Sequence, residues 1–361
     1  MVEPQQEGEP NGALIWDVNN NDDGRGLLGE SASDDDTSMD DDTSNDSDDD
    51  ESDDEESVVV PTPDEVELEY TFPDDFRDRE LSDVIEDGRY FRLIINCEAV
   101  RDIPEGKFEL CGMLIEIVFL NNNKNNQRNI LRYIRNHAFF RCFNLQRIRN
   151  GLPGRLAELG RCAFAECFRL QQGLAIPRSV LLVDRCCFYY CVSITSVEFG
   201  HLPTDFVELR DEAFSLCNKL RSVTLPMSLR SIPHYCFYEC VALINIPIPI
   251  PVRIIETCAF CGCSALRHID LSENITEIRQ NAYTECIRLE TITIKSSTVQ
   301  FGDHAFDHCL SLSWEGATIK VYPWVLPRLF AAMNGLTADA SNFRYKFLRK
   351  SQHQLAQFRR R

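Results

Sequence analysis

The feature that most constrains this chain is a register of four columns that recurs nine times. Aromatic residues stand at Phe108, Phe139, Phe164, Phe188, Phe214, Phe237, Phe260, Tyr283 and Phe306. Three residues after each is a cysteine: Cys111, Cys142, Cys167, Cys191, Cys217, Cys240, Cys263, Cys286 and Cys309. Six residues after each is Leu or Ile, from Leu114 to Leu312, and five before each is an apolar residue, from Ile103 to Phe301. The last five copies are 23 residues apart, and the earlier gaps are 31, 25, 24 and 26. A fixed period in this range is the signature of stacked supersecondary units.

Each copy divides by local pattern. Leu220-Arg221-Ser222-Val223-Thr224-Leu225 alternates as a short strand with Val and Leu turned inward. Pro177, Pro226 and Pro247 end such strands and start turns. A second short extended piece follows, as at Leu229–Ile232, and Ala-aromatic-x-x-Cys then reads as one helical turn. No copy can bury its apolar columns alone, so stacking of parallel strand layers is required. The long first gap holds an insertion, residues 121–129, rich in Asn and expected to form a surface loop.

These columns resemble the BspA-type leucine-rich repeat, whose consensus runs Ile-Gly-x-x-Ala-Phe-x-x-Cys-x-x-Leu-x-x-Ile-x-Ile-Pro. The resemblance covers Ile103 to Leu312 and departs from the pattern at Gly173 and Glu315, which stand where an apolar strand residue belongs. It implies a right-handed solenoid used for protein contact, adhesion or recognition, with no family-wide catalytic residues. Many members are displayed on cell surfaces. This chain starts with an acidic, polar segment lacking an apolar signal core, and it has no run of 18 apolar residues. The reading is therefore a cytoplasmic or nuclear protein that needs no membrane.

Charge divides the chain. The net charge of −20 belongs to residues 1–60, which hold 22 Asp and Glu against Arg25, while residues 61–361 hold 36 Lys and Arg against 35 Asp and Glu. Residues 34–56 contain 15 acids, a composition that cannot bury enough apolar surface to fold. Ser33, Thr37, Ser38, Thr43, Ser47 and Ser52 precede an acid by three residues, the pattern of acidophilic kinase sites. The expected layout is a disordered acidic tail over 1–63, an N-terminal cap over 64–100, nine repeats over 101–318 and a helical cap over 319–361. Within the last, Val325–Gly335 reads as a helix. A second amphipathic helix beginning near 339–341 has a basic face of Arg344, Lys346, Arg349, Lys350 and Arg359–Arg361. Capping, a basic targeting or nucleic-acid patch, and attraction to the acidic tail are three readings of that face.

Chemistry-bearing motifs are scarce. Gly-x-Ser-x-Gly, a phosphate-cradling Gly loop and His-Glu-x-x-His are all missing, which argues against an enzyme. Cys258-x-x-Cys261-x-Cys263 and the group Cys186, Cys187 and Cys191 invite a zinc reading, but periodicity already accounts for Cys263 and Cys191. His304 and His308 occupy variable repeat positions. No cofactor or metal is expected, and the nine column cysteines read as a reduced, buried structural ladder.

The partner surface is then the outward side of the strands: Arg147 and Arg149, Gln172, Ser196 and Glu198, Ser222 and Thr224, Asn245, His268 and Asp270, Thr291 and Thr293. Arg135, Arg161, Arg185, Arg210 and Arg279 mark a second edge able to grip carboxylates or phosphates. The function read from this is a monomeric, non-catalytic interaction scaffold with a protein partner and no nucleic acid. The alternatives are an acidic-tail protein that engages basic, histone-like partners and, behind it, a surface adhesin.

Overall fold

In a computed structural model of the chain, residues 66–70, 90–121, 127–200, 206–313, 318–322 and 324–333 are described. They form a parallel-strand solenoid of about nine coils. Each coil runs through three segments. A long strand follows the Leu column, as in Ser196–Phe199, and pairs in parallel with its neighbours, Val197 opposite Val223 on one side and Leu174 on the other. A two-residue strand such as Ile254–Ile255 carries the column five residues before the aromatic and pairs likewise. The Ala-aromatic-x-x-Cys run closes the coil.

The columns meet inside. The nine aromatic rings form one continuous stack from Phe108 to Phe306. Neighbouring centroids are 5.0–5.9 Å apart and interplanar angles are 4–15°. The rings and the Leu column are buried. Cysteine has a specific job beside them. The Cys142 thiol donates to Phe108 O at 3.1 Å, Cys191 to Phe164 O at 3.0 Å and Cys240 to Phe214 O at 3.2 Å. The same bond recurs through Cys309 to Tyr283 O at 3.2 Å. A residue of this size with an S–H donor satisfies a second lone pair on a carbonyl that the local turn already uses. All sixteen cysteines are free.

The turn run is not the helical turn expected from its i, i+3 spacing. In every coil the residues two before and two after the aromatic have positive φ, as at His137 (56°) and Arg141 (60°) or Glu212 (60°) and Leu216 (61°). Donors consequently alternate. His137, Phe139 and Arg141 N–H reach across to Arg161, Ala163 and Ala165 O of the next coil at 2.8–2.9 Å, while Ala138, Phe140 and Cys142 N–H close local turns. A helix would aim every N–H along its own axis and leave the neighbouring coil unpaired. Left-handed backbone costs a non-glycine residue of order 1 kcal/mol. Coil-to-coil hydrogen bonds and burial offset it.

Two irregularities noted in the sequence have structural answers. Gly173 is skipped and Leu174 takes the strand slot opposite Val197. The slot expected at Glu315 is filled by Ile319, in the strand Thr318–Lys320, which pairs with Thr291–Thr293. At the N-terminal side, strands Val66–Tyr70 and Phe91–Asn96 extend the long-strand sheet in parallel beyond the first repeat. At the other end a helix covers Leu326–Ala331, inside the expected Val325–Gly335, and Phe306 N–H donates to Ala332 O at 3.1 Å, where a further coil would have offered its carbonyl. Val325, Leu329 and Met333 are buried there. Asn129, at the end of the expected surface loop, is buried, its Oδ1 accepting Leu131 N–H at 3.2 Å. The acidic tail, residues 122–126, Gly335 and the second C-terminal helix lie outside the described residues.

Two substitutions test this packing. Tyr283 is the one hydroxylated ring in the stack, and its buried Oη has no partner among the described residues. Tyr283→Phe should raise stability by about 1 kcal/mol. A Cβ on Gly302 would lie 2.5 Å from Gln280 N and 2.8 Å from Arg279 C of the preceding coil. Gly302→Ala should cost about 2 kcal/mol. Denaturant melts of both variants check the pair; a loss of stability for Tyr283→Phe, or none for Gly302→Ala, would refute the packing.

Candidate interaction face

Strand alternation decides which side chains a partner can meet. With Val197, Val223, Ile269 and Ile292 turned into the core, the residues flanking them share the outer side of the long strands. Register aligns them in rows: Ser196 beside Ser222, Glu198 beside Thr224, His268 beside Thr291 and Asp270 beside Thr293. Asn245 bridges to Ser222. Asp270 also pairs with Lys295 at 3.0 Å. The expected set thus lies on one face, except for Gln172.

Gln172 is spent on structure. Its Oε1 accepts Ile148 N–H at 3.2 Å and its Nε2 donates to Ile148 O at 3.4 Å. The side-chain amide replaces the backbone pairing that the skipped Gly173 interrupts, and it joins two sheets that would otherwise end there. The exposed residue of this coil is Ala175, opposite Glu198.

The charged end of the face was only half legible. Arg147 and Arg149 flank buried Ile148, and both donate their Nε to the Oε1 of Glu116, Arg149 at 3.1 Å. Arg92 forms an ion pair with Oε2 of the same carboxylate and donates to Glu67 Oε1 at 2.8 Å. The Glu116 side chain is 1% exposed, whereas those of Arg147 and Arg149 are 50% and 52% exposed. Among the described residues, the terminal nitrogens of Arg147 and Arg149 have no protein partner. Extending the repeat columns back to the first copy would have exposed Glu116, since it stands eight residues after Phe108 as Arg147 stands eight after Phe139.

Four of the five arginines of the second edge are already paired with acids. Arg135 pairs with Asp102 at 3.3 Å, Arg185 with Glu212 at 2.5 Å, Arg210 with Asp184 at 3.2 Å and Glu208 at 2.9 Å, and Arg279 with Glu256 at 2.6 Å. These groups grip the chain's own carboxylates. Arg185 and Arg210 line, with Arg161, Asp184, Asp211, His234 and Glu256, an open depression of about 460 Å³ whose wall mixes both signs. Such half-exposed pairs contribute little individually.

No cluster of three or more metal-ligating side chains exists among the described residues, and no described helix is long and apolar enough to cross a membrane. Cys263 donates to Phe237 O at 3.1 Å inside the core, apart from Cys258 and Cys261. His304 pairs with Asp307 at 3.1 Å.

Burial pushes the Glu116 carboxyl up, but the Arg147 hydrogen bond, followed by the charges of Arg147, Arg149 and Arg92, outweighs it and holds the group below its usual range. A depressed folded pKa stabilises above the unfolded value of about 4.3 and is lost as pH falls through the folded one. Glu116→Gln should therefore lower stability at neutral pH by about 2 kcal/mol. That is less than for a fully buried pair, because the arginines are half in water. The gap between variant and parent should close on acidification below about pH 4, measured by urea melts across pH.

Residues 101–202 and 183–313 match the family model of the BspA-type leucine-rich repeat region, with 6 copies. No curated protein matches the sequence. Among solved structures, a leucine-rich repeat protein of T. pallidum is 26% identical, with 48% of this chain and 77% of that one covered and a TM-score of 0.42. One from Bacteroides ovatus is 22% identical, with 64% and 69% covered and a TM-score of 0.46. A leucine-rich cell surface protein of Faecalibacterium prausnitzii is 16% identical, with 74% and 86% covered and a TM-score of 0.33.

Proposed function

The chain belongs to the BspA-type leucine-rich repeat family, and from that premise we propose that it is a non-catalytic interaction scaffold whose protein partner docks on the long-strand face. The family supports a protein-interaction or surface scaffold role. The observation that carries the finer reading is the arginine pair. Arg147 and Arg149 stand in register on a rigid strand, oriented by a buried carboxylate, with their terminal nitrogens free to take two oxygens. Most of the remaining face is small and polar and lacks aromatic anchors. The partner reading is accordingly a protein that presents carboxylate or phosphate groups, bound by one copy of this chain without cofactor, metal or nucleic acid.

A second reading rests on residues 1–60, whose charge would attract basic partners through solvent. The free thiols of the core, spent as hydrogen-bond donors, favour a reducing compartment, the cytoplasm or nucleus.

Quantitative affinity capture with the full chain, an Arg147→Glu/Arg149→Glu variant and a chain without residues 1–60 separates the readings. The charge reversal should reduce acidic or phosphorylated partners by at least about tenfold, because charge-assisted hydrogen bonds contribute about 1.5–3 kcal/mol. The same variant should retain partners that depend on residues 1–60. An unchanged partner set for the charge-reversed chain would refute docking at the arginine pair.

A further inference from the structure

In four coils the residue two before the stacked aromatic touches the residue one after it. His137 and Phe140 meet edge to face with ring centroids 5.5 Å apart, and Tyr235 and Tyr238 do so at 5.7 Å. Thr284 Oγ1 lies 3.4 Å from Asn281 Oδ1, and His304 Nδ1 lies 3.1 Å from Asp307 Oδ2. Ring, amide and acid pairs all meet, so the backbone imposes the contact. In the coil of Phe260 the two positions are Cys258 and Cys261. Cys261 N–H donates to Cys258 O at 3.3 Å, closing the same turn. A turn of four residues holds its end Cα atoms within about 7 Å, which overlaps the span a disulfide bridges.

These thiols differ from those of the ladder. Neither belongs to the main core cluster, which contains Cys263. Cys258 is 7% exposed and Cys261 is half-buried, so a small oxidant reaches the pair. The geometry points to a reversible dithiol–disulfide site at Cys258 and Cys261 whose oxidant is a hydroperoxide.

The first proton leaves this pair more readily than it leaves an isolated thiol. The neighbouring Cys261 side chain, followed by Tyr235 and Asn281, holds the Cys258 thiol down to about 7 against the upward push of burial. The Cys258 thiolate attacks one peroxide oxygen, the O–O bond breaks, and the departing hydroxide takes a proton to become water. Cys258 is left as a sulfenic acid. The Cys261 sulfur then attacks the Cys258 sulfur, and the S–O bond breaks. The hydroxyl leaves with the Cys261 proton as a second water. Two thiols lose two electrons and one hydrogen peroxide gains them. A low-molecular-weight thiol reverses the step by exchange. The ladder thiols from Cys111 to Cys286 do not compete, because burial pushes them up, Cys111 to about 12.

The test is hydrogen peroxide titration of the reduced full chain, followed by alkylation in denaturant and peptide mass analysis. The peptide holding Cys258 and Cys261 should lose two hydrogens at peroxide concentrations about tenfold or more below those that modify any ladder cysteine, the ratio that one pKa unit of thiolate fraction supplies. Dithiothreitol should restore it. Cys258→Ser should leave Cys261 alkylatable, and Cys261→Ser should leave Cys258 as a trapped sulfenic acid, which reads out the order of the steps in two separate variants. Three outcomes would overturn the site: the pair remaining reduced while other cysteines oxidise, a first disulfide at Cys162–Cys186, or equal oxidation of the ladder.

Discussion

Everything in this molecule depends on coils lying in register against one another, because no coil can bury its own apolar columns. The carbonyl of each stacked aromatic shows how tightly register is held. It accepts the turn N–H of the cysteine three residues on, as Phe139 O accepts from Cys142 N at 3.3 Å, and the S–H of the next coil's cysteine, Cys167 at 3.3 Å. Slipping one coil would break this bond, unstack a ring and misalign two parallel strand ladders together. The cysteine column is therefore a hydrogen-bonding device as much as a filler of space.

Holding register through the turn run requires a backbone that faces its neighbours. Positive φ at the residues two before and two after each aromatic brackets the run, within which successive N–H groups turn between the coil's own turn and the next coil. The cost in strain is repeated in each coil and is borne even by Leu216 and Tyr235. The same geometry brings outer side chains of a turn into contact in at least four coils. Whatever chemistry the variable positions carry is thus concentrated in pairs, and in one coil that pair is two thiols.

The long-strand face is the complementary case. Its inward residues are committed to the core, so its outward ones are free to differ from coil to coil, and their charge is unevenly spread. Toward the N-terminal strands a carboxylate buried beneath three guanidinium groups orients Arg147 and Arg149, whereas the serines and threonines farther along offer a partner little grip. The arginines of the other edge carry the same formal charge but meet the chain's own acids, and that difference in pairing separates a surface that offers cations from one that has consumed them.

The amino-acid sequence by itself determined the coil count, the inward columns, the parallel stacking and the alternation that sorts Ser222 and Thr224 from Val223. These follow from spacing, since a period of about 23 residues and a strand period of two are local patterns. Only the tertiary structure decided which groups in neighbouring coils meet. It replaced the expected helical turn with a run bracketed by two left-handed residues, took Gln172 from the face to complete a strand, and filled the slot missing at Glu315 with Ile319. It also set Cys263 inside and Cys258 with Cys261 apart from it. The reason is physical: a hydrogen bond or ion pair between coils joins residues some 20–34 positions apart, and its formation depends on rotamers, backbone φ and competing partners that no spacing in the sequence records.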